Sequence, residues 1–212
     1  MITEHLDSGT GRAFCLLVDN DHELILAKKI SEQLEVKSRL LIYSLEEINQ
    51  YNWQELSKTI LEEFKDKKVR QVSMIGIKAA GAIAQNIALI DRKLCRSLIL
   101  INTTTRPHPT SFSRVIDRIE SILPLGLPLR QNSLNFDSKP FLQRLRCPAL
   151  IITTQNSNEH EKSEAMILTK RIPTAWYYDS NNSNTAEDLA KLISEFEAVP
   201  AKCPQKNLQR KA

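Results

Sequence analysis

Runs of apolar residues of strand length alternate along this chain with segments in which apolar residues recur at helical spacing. The runs that predict strands are residues 13–18, 39–44, 72–76, 97–102, 148–153 and 175–178. The helical patterns cover residues 24–34, 53–64, 79–94, 161–170 and 186–196. Strands that are apolar on both faces and are joined by helices are typical of a mostly parallel sheet covered on both sides. The predicted fold class is α/β, a three-layer sandwich with a six-stranded sheet.

The alternation is interrupted once and stops near the end of the chain. Residues 103–146 (the insertion) carry an apolar stripe from Phe112 to Leu123, which fits either core packing or a surface for a ligand or partner, and we expect a small helical lid there. Thr185 stands three residues before Asp188, a capping-box spacing that predicts the start of the last helix. We therefore expect one domain over residues 1–199, followed by a tail at 200–212.

Composition places the chain among ordinary globular proteins, with 42% hydrophobic and 25% charged residues in 212. No run approaches the roughly 18 apolar residues that span a bilayer. The first residues do not have the basic and then apolar pattern of a secretory signal, so we expect a cytoplasmic protein without a membrane span.

The formal charge of +4 is carried by the end of the chain. Residues 198–212 hold four basic side chains and no acidic one, so the rest of the chain is formally neutral. This distribution predicts a basic, disordered tail and no nucleic-acid interface on the folded part.

The cysteines show no C-x-x-C spacing, and no motif for a cofactor is present. They are Cys15, Cys95, Cys147 and Cys203. Three of them lie in or beside apolar runs, so we expect buried, reduced thiols and neither a metal nor a cofactor.

The turn at residues 76–81 (the elbow) holds two of the five glycines, Gly76 and Gly81, which indicates close backbone approach or an unusual φ. A phosphate-binding P-loop is excluded, because Ala82 and Ile83 replace its Lys and Ser/Thr. A dinucleotide-binding motif is disfavoured, because Lys78 stands where it needs a glycine.

The elbow, Gly-Ile-Lys-Ala-Ala-Gly, resembles the Gly-x-Ser-x-Gly-Gly turn of the α/β-hydrolase family. Residues 101–105 resemble that family's exit into its lid, and residues 146–152 resemble its Cys-Pro-x-Leu entry to the strand that carries the acid. The resemblance covers most of residues 13–197. It implies that the family's first hairpin is missing, because the first predicted strand corresponds to the family's third.

The same resemblance implies that the catalytic triad is absent. Lys78 stands in place of the nucleophilic serine, Ser157 in place of the acid, and the loop at 180–184 has no histidine. The four histidines fall elsewhere, at His5, His22, His108 and His160. Losing a triad member removes most of the rate enhancement, so the resemblance implies a catalytically inactive member.

The oxyanion-hole position reads Asp19-Asn20-Asp21-His22, and two carboxylates there would oppose a developing negative charge. Three roles stay open for Lys78: an ion pair with Asp19 or Asp21, an anion site together with helix amides, or covalent chemistry. The candidate ligand-binding residues are Lys78, Ala79, Asp19, Asn20, Asp21 and Ser157.

The sequence therefore predicts a non-catalytic α/β-hydrolase-like protein that acts as a binding or assembly subunit through its old pocket or its lid. The expected partner is an unknown protein or a small apolar or anionic ligand. The alternative is a hydrolase of the esterase or acyl-hydrolase type with non-standard catalytic residues, such as Ser73, Ser157 or His108, or a Lys78-dependent enzyme.

Overall fold

The computed structural model describes residues 2–34, 38–45, 53–105, 137–180 and 185–198, and the backbone of 208–210. The strands are β1 Ile2–Ser8, β2 Arg12–Val18, β3 Ser38–Leu45, β4 Val72–Ile77, β5 Cys95–Ile101, β6 Ala149–Thr154, β7 Ala175–Ser180 and β8 Leu208–Arg210. The helices are α1 Asp21–Leu34, α2 Trp53–Asp66, α3 Ala80–Ile90, α4 Glu159–Arg171 and α5 Ala186–Ala198. A short 3-10 helix, Leu142–Arg144, precedes β6.

The sheet has the order β1-β3-β2-β4-β5-β6-β7-β8. Six neighbouring strands correspond to the six predicted ones and run parallel to each other. They are β3, β2, β4, β5, β6 and β7. Two antiparallel edge strands, β1 and β8, add to them, so the prediction of a six-stranded sheet is wrong. The family's first hairpin was expected to be missing, and in its place β1 supplies one antiparallel strand beside β3.

Polar contacts hold β1 in the sheet, so this strand has no apolar run from which it could be predicted. The Arg39 side chain donates two hydrogen bonds of 3.0 Å to the carboxylate of Asp7. Lys67 Nζ lies 2.8 Å from carboxylate oxygens of both Glu4 and Asp7. Edge strands are often charged on their open side, and such a strand lacks the two-sided apolar pattern of a buried one.

The core lies in two layers, one on each face of the sheet. On one face α1 and α5 bury residues such as Ile30 and Phe196 against the sheet. On the other face α2, α3 and α4 do the same with residues such as Ile60, Ile83 and Leu168. The predicted three-layer α/β sandwich is confirmed.

Local side-chain contacts set two helix ends. Asp188 N–H donates to Thr185 Oγ1 at 3.2 Å, so α5 begins where the capping spacing predicted. α3 ends at Ile90, short of the predicted residue 94. The reason is Asp91, whose Oδ1 accepts the N–H groups of Lys93 and Leu94 and turns the chain out of the helix.

Part of the predicted disordered tail is a strand. Leu208–Arg210 pairs with Trp176–Tyr178 of β7, and the rest of the tail lies outside the described residues. The cysteines Cys15, Cys95 and Cys147 are free thiols, the first two buried. Within the described ranges, no helix is long and apolar enough to cross a membrane.

Deleting residues 200–212 should leave the melting temperature within a degree or so of the full chain's. Each hydrogen bond of β8 contributes about 0.5–1.5 kcal/mol net, and ordering each residue costs about 1–2 kcal/mol, so the two nearly cancel. Thermal unfolding followed by circular dichroism measures this. The control is deletion of residues 1–8, which removes six paired residues of β1 with their ion pairs and should lower the melting temperature clearly. A loss of several degrees on removing the tail would show that it is docked.

Candidate functional site

The elbow joins β4 to α3 through a residue with an unusual backbone conformation. Lys78 has a φ of 48°, in the left-handed region that non-glycine residues seldom adopt. Its N–H donates to Ile101 O at the end of β5 at 2.9 Å, and its carbonyl accepts the N–H of Gly81 at 3.1 Å. A strained residue at the top of the sheet is the geometry that the family resemblance implies, although here the residue is a lysine.

Close backbone approach, and not φ, explains the glycines of the elbow. A Cβ on Gly76 would lie 2.4 Å from Gly81 Cα. A Cβ on Gly81 would lie 2.2 Å from Thr103 Oγ1. α3 therefore crosses β4 and the end of β5 at a distance that only glycine permits at both positions.

The side chain of Lys78 forms an ion pair with Glu23, the residue that sequence reasoning missed. Lys78 Nζ lies 3.1 Å from Glu23 Oε1. The Lys78 side chain is 39% exposed, whereas that of Glu23 is 2% exposed. The expected partner, Asp19 or Asp21, is wrong, because the ion pair of Lys78 is formed by Glu23. Asp19 lies near Lys78 but does not form the ion pair.

Asn20 directs Glu23 towards the elbow by capping α1. Its Oδ1 accepts the N–H of Glu23 at 3.0 Å, and its carbonyl accepts the N–H of Leu24 at the same distance. The carboxamide also donates to Asp19 Oδ1 at 2.9 Å. The spacing Asn20-x-x-Glu23 is that of a capping box, and it could have placed Glu23 in the first turn of the helix.

Asp19 completes a group of three titratable side chains, Asp19, Glu23 and Lys78, which we call the elbow cluster. Burial raises the pKa of Asp19 to about 8, with a hydrogen bond to Glu23 and the charge of Glu23 adding to the rise and Lys78 opposing it. Asp19 therefore holds its proton to a higher pH than an ordinary aspartate does. Of the two carboxyl groups that the sequence predicted beside the oxyanion position, Asp19 resists ionisation and Asp21 is exposed to solvent.

Ser157 lies in a separate hydrogen-bond network between β5 and β6. Its hydroxyl donates to Asn102 Oδ1 at 2.6 Å and accepts the N–H of Thr154 at 2.8 Å. Asn102 Nδ2 donates to Thr154 Oγ1 at 2.8 Å. Asn102 has a φ of 50°, so this network also fixes a strained residue. Ser157, which stands in place of the family's acid, thus links the ends of β5 and β6 through hydrogen bonds. Its role in ligand binding stays a prediction.

The remaining candidates are placed as follows. Ala79 is 4% exposed at the N-terminus of α3, which has no side-chain cap. His5 contacts Ser44 Oγ at 2.8 Å, and His22 and His160 are exposed in the first turns of α1 and α4. His108, the apolar stripe of the predicted lid and the loop at 181–184 lie outside the described residues.

Metal binding finds no support in the part of the chain that the structure describes, where no three or more His, Cys, Asp or Glu side chains are grouped to hold an ion. The two carboxyl groups of the elbow cluster already interact with each other and with Lys78. What the cluster offers chemically is an ammonium group with solvent access, a carboxyl group that exchanges its proton near neutral pH, and a buried carboxylate.

Comparison with known proteins identifies the fold. No family model and no curated protein matches the chain. Solved structures do: a thermophilic esterase from Thermogutta terrifontis has a TM-score of 0.73 at 15% identity, covering 93% of each chain. An α/β hydrolase enzyme from a lagoon-sediment metagenome has a TM-score of 0.71 at 15% identity, covering 94% of this chain and 96% of its own. The enol-lactonase from Burkholderia xenovorans has a TM-score of 0.68 at 15% identity, covering 93% and 96%. The chain has the α/β-hydrolase fold.

Replacing Lys78 by Met should destabilise the protein, because it leaves the buried Glu23 without its counter-charge. Adding Glu23→Gln should recover much of the loss, with a coupling energy on the order of 1 kcal/mol in a double-mutant cycle. Urea unfolding of the four proteins measures it. The matched cycle pairs Lys78→Met with Asp21→Asn and should give no coupling. Equal coupling in both cycles would contradict the assignment of Glu23.

The stability of the wild type relative to Asp19→Asn should fall as the pH rises from about 4 to about 8. The folded protein holds the Asp19 proton up to a pKa of about 8, while the ordinary value is 3.8. Proton binding by the folded state therefore stabilises it fully below pH 4, and this contribution is lost between the two values. Urea unfolding at several pH values measures the difference, with Asp21→Asn as the matched control. A difference that is constant from pH 4 to pH 8 would show that Asp19 ionises normally.

Proposed function

We propose that this protein is a non-catalytic member of the α/β-hydrolase fold that acts as a binding or assembly subunit, using the elbow or the insertion as its contact surface. One observation carries the proposal: the residue at the elbow is a lysine whose ammonium group lies 3.1 Å from a buried carboxylate. Neither a hydroxyl nor a thiol occupies the position from which this fold presents its nucleophile.

The contacts of Lys78 argue against covalent chemistry by the lysine itself. A nucleophilic lysine must lose its proton, and enzymes favour this by desolvation or by a neighbouring cation. Lys78 has different surroundings, because it is paired with the Glu23 carboxylate and 39% of its side chain remains exposed. An ammonium ion has no free electron pair with which to attack a substrate.

The same contacts also limit which ligand the elbow can hold. With Asp19 protonated, the charges of Lys78 and Glu23 cancel, so the cluster attracts an anion only weakly. The exposed side of the ammonium group can still donate hydrogen bonds to a neutral acceptor. We therefore favour a ligand or peptide that presents a carbonyl group over one that presents a phosphate.

A hydrolase with non-standard residues is the second candidate. In its favour are the hydrolytic enzymes among the structural neighbours, the strained elbow, and a carboxyl group with a pKa of about 8 in the elbow cluster. Against it, the two proposed serines are unsuited to attack. Ser73 is fully buried in β4, and the Ser157 hydroxyl is engaged with Asn102.

The folded protein should not react with a fluorophosphonate probe and should not hydrolyse a panel of short-chain and medium-chain esters above the buffer rate. Labelling is read by intact mass and the ester panel by product absorbance, between pH 6 and pH 9. Lys78→Met and Lys191→Met are run beside the wild type, the second being an exposed lysine on α5. Hydrolysis that is lost in Lys78→Met or Asp19→Asn but kept in Lys191→Met would overturn the proposal in favour of the enzyme.

A further inference from the structure

Cys95 is the first residue of β5, Cys147 lies two residues before β6, and both belong to or pack against one core cluster on the same side of the sheet. β5 and β6 are parallel partners, with Leu98 opposite Ala149. Cys147 stands two residues before Ala149, and in an extended chain this spacing puts the side chains of Cys147 and Ala149 on the same face. Cys147 indeed packs against the core cluster that contains Ala149 and Cys95.

A register irregularity brings Cys95 to that face. Regular alternation would point Cys95, three residues before Leu98, to the opposite side of the sheet. However, the pairing of β4 with β5 moves from Val72–Cys95 to Ser73–Ser97, and Arg96 is skipped. A bulge of this kind changes the direction of one side chain, and here it places Cys95 in the same core cluster as Leu98.

The two thiols share one core cluster and differ in character. Their interaction raises the pKa of Cys95 and lowers the pKa of Cys147. The Cys95 thiol donates a hydrogen bond to Ser97 O at 3.2 Å. Cys95 is 3% exposed, whereas Cys147 is only partly buried. Cys147 is thus the thiol that a reagent can reach and the better thiolate, and Cys95 is the partner beside it.

We propose that Cys95 and Cys147 form a redox pair that hydrogen peroxide converts into an intramolecular disulfide, joining the start of β5 to the segment that enters β6. The Cys147 sulfur attacks one peroxide oxygen, the O–O bond breaks, and the displaced hydroxide leaves as water after taking up a proton. The Cys95 sulfur then attacks the sulfenic sulfur of Cys147, and the S–O bond breaks. The oxygen leaves as a second water with the Cys95 proton, so two thiols give up two electrons to one peroxide.

The disulfide would close the loop formed by residues 96–146, which includes the insertion. A crosslink across a long loop restricts the unfolded chain, so the oxidised protein should melt at a higher temperature than the reduced one. Cys15 cannot take part, because it is fully buried in β2 and burial raises the pKa of its thiol.

The full chain is treated with a small excess of hydrogen peroxide, alkylated, and digested without reduction. We expect two of the four thiols to be lost and a linked peptide pair containing Cys95 and Cys147, which dithiothreitol separates. Cys203→Ser removes the tail thiol and should react like the wild type. In Cys95→Ala, Cys147 should stop at the sulfenic acid and be trapped by dimedone.

Three results would overturn the proposal. They are a crosslink that involves Cys203 or Cys15, full retention of the free thiols, and oxidation of Cys147 to the sulfinic acid while Cys95 stays reduced. The peptide map of the wild type decides among these by itself, so the conclusion does not depend on how well Cys95→Ala folds. Melting curves of the oxidised wild type and of peroxide-treated Cys147→Ser then separate the crosslink from other effects of peroxide.

Discussion

A carboxylate that is 2% exposed can remain charged only with a counter-charge and hydrogen bonds, and Glu23 imposes this condition on one end of the sheet. Lys78 supplies the charge, and Asp19 interacts with the same carboxylate through its side chain. Asn20 fixes the first turn of α1 and with it the direction of Glu23. The side chains around the oxyanion position thus form one interdependent unit, in which a change of charge at any member alters the others.

The backbone at the elbow depends on packing and not on this electrostatic unit. α3 passes so close to β4 that Gly76 and Gly81 nearly touch, and Thr103 fills the space beside them. The N–H of Lys78 reaches Ile101 O because the chain turns sharply there. Holding a non-glycine residue at a φ of 48° costs of the order of 1–3 kcal/mol, which the surrounding core must offset.

The sequence predicted the parts of the fold that are buried on both sides, and it missed those that are not. All six parallel strands appear as apolar runs, because each lies between two helical layers. β1 is half-exposed and held by Asp7, Arg39 and Lys67, contacts between residues far apart in the chain that no local pattern reveals. At the site, the elbow and its lysine were readable from the sequence. Glu23 was missed because the helix was predicted to begin at 24, which left the capping residue and its partner in a loop.

The backbone of the elbow and the charges around it depend on different residues, and this limits what a similar fold can say about activity. The elbow of this chain is produced by two close glycine contacts and a strand-end hydrogen bond. None of these contacts uses the side chain at position 78. A TM-score near 0.7 at 15% identity therefore reports the packing that makes the elbow, and not the group that it presents. What the elbow presents here is an ammonium ion neutralised by Glu23. Its chemistry is hydrogen-bond donation, so the physical case for binding rests on side chains that the shared fold does not specify.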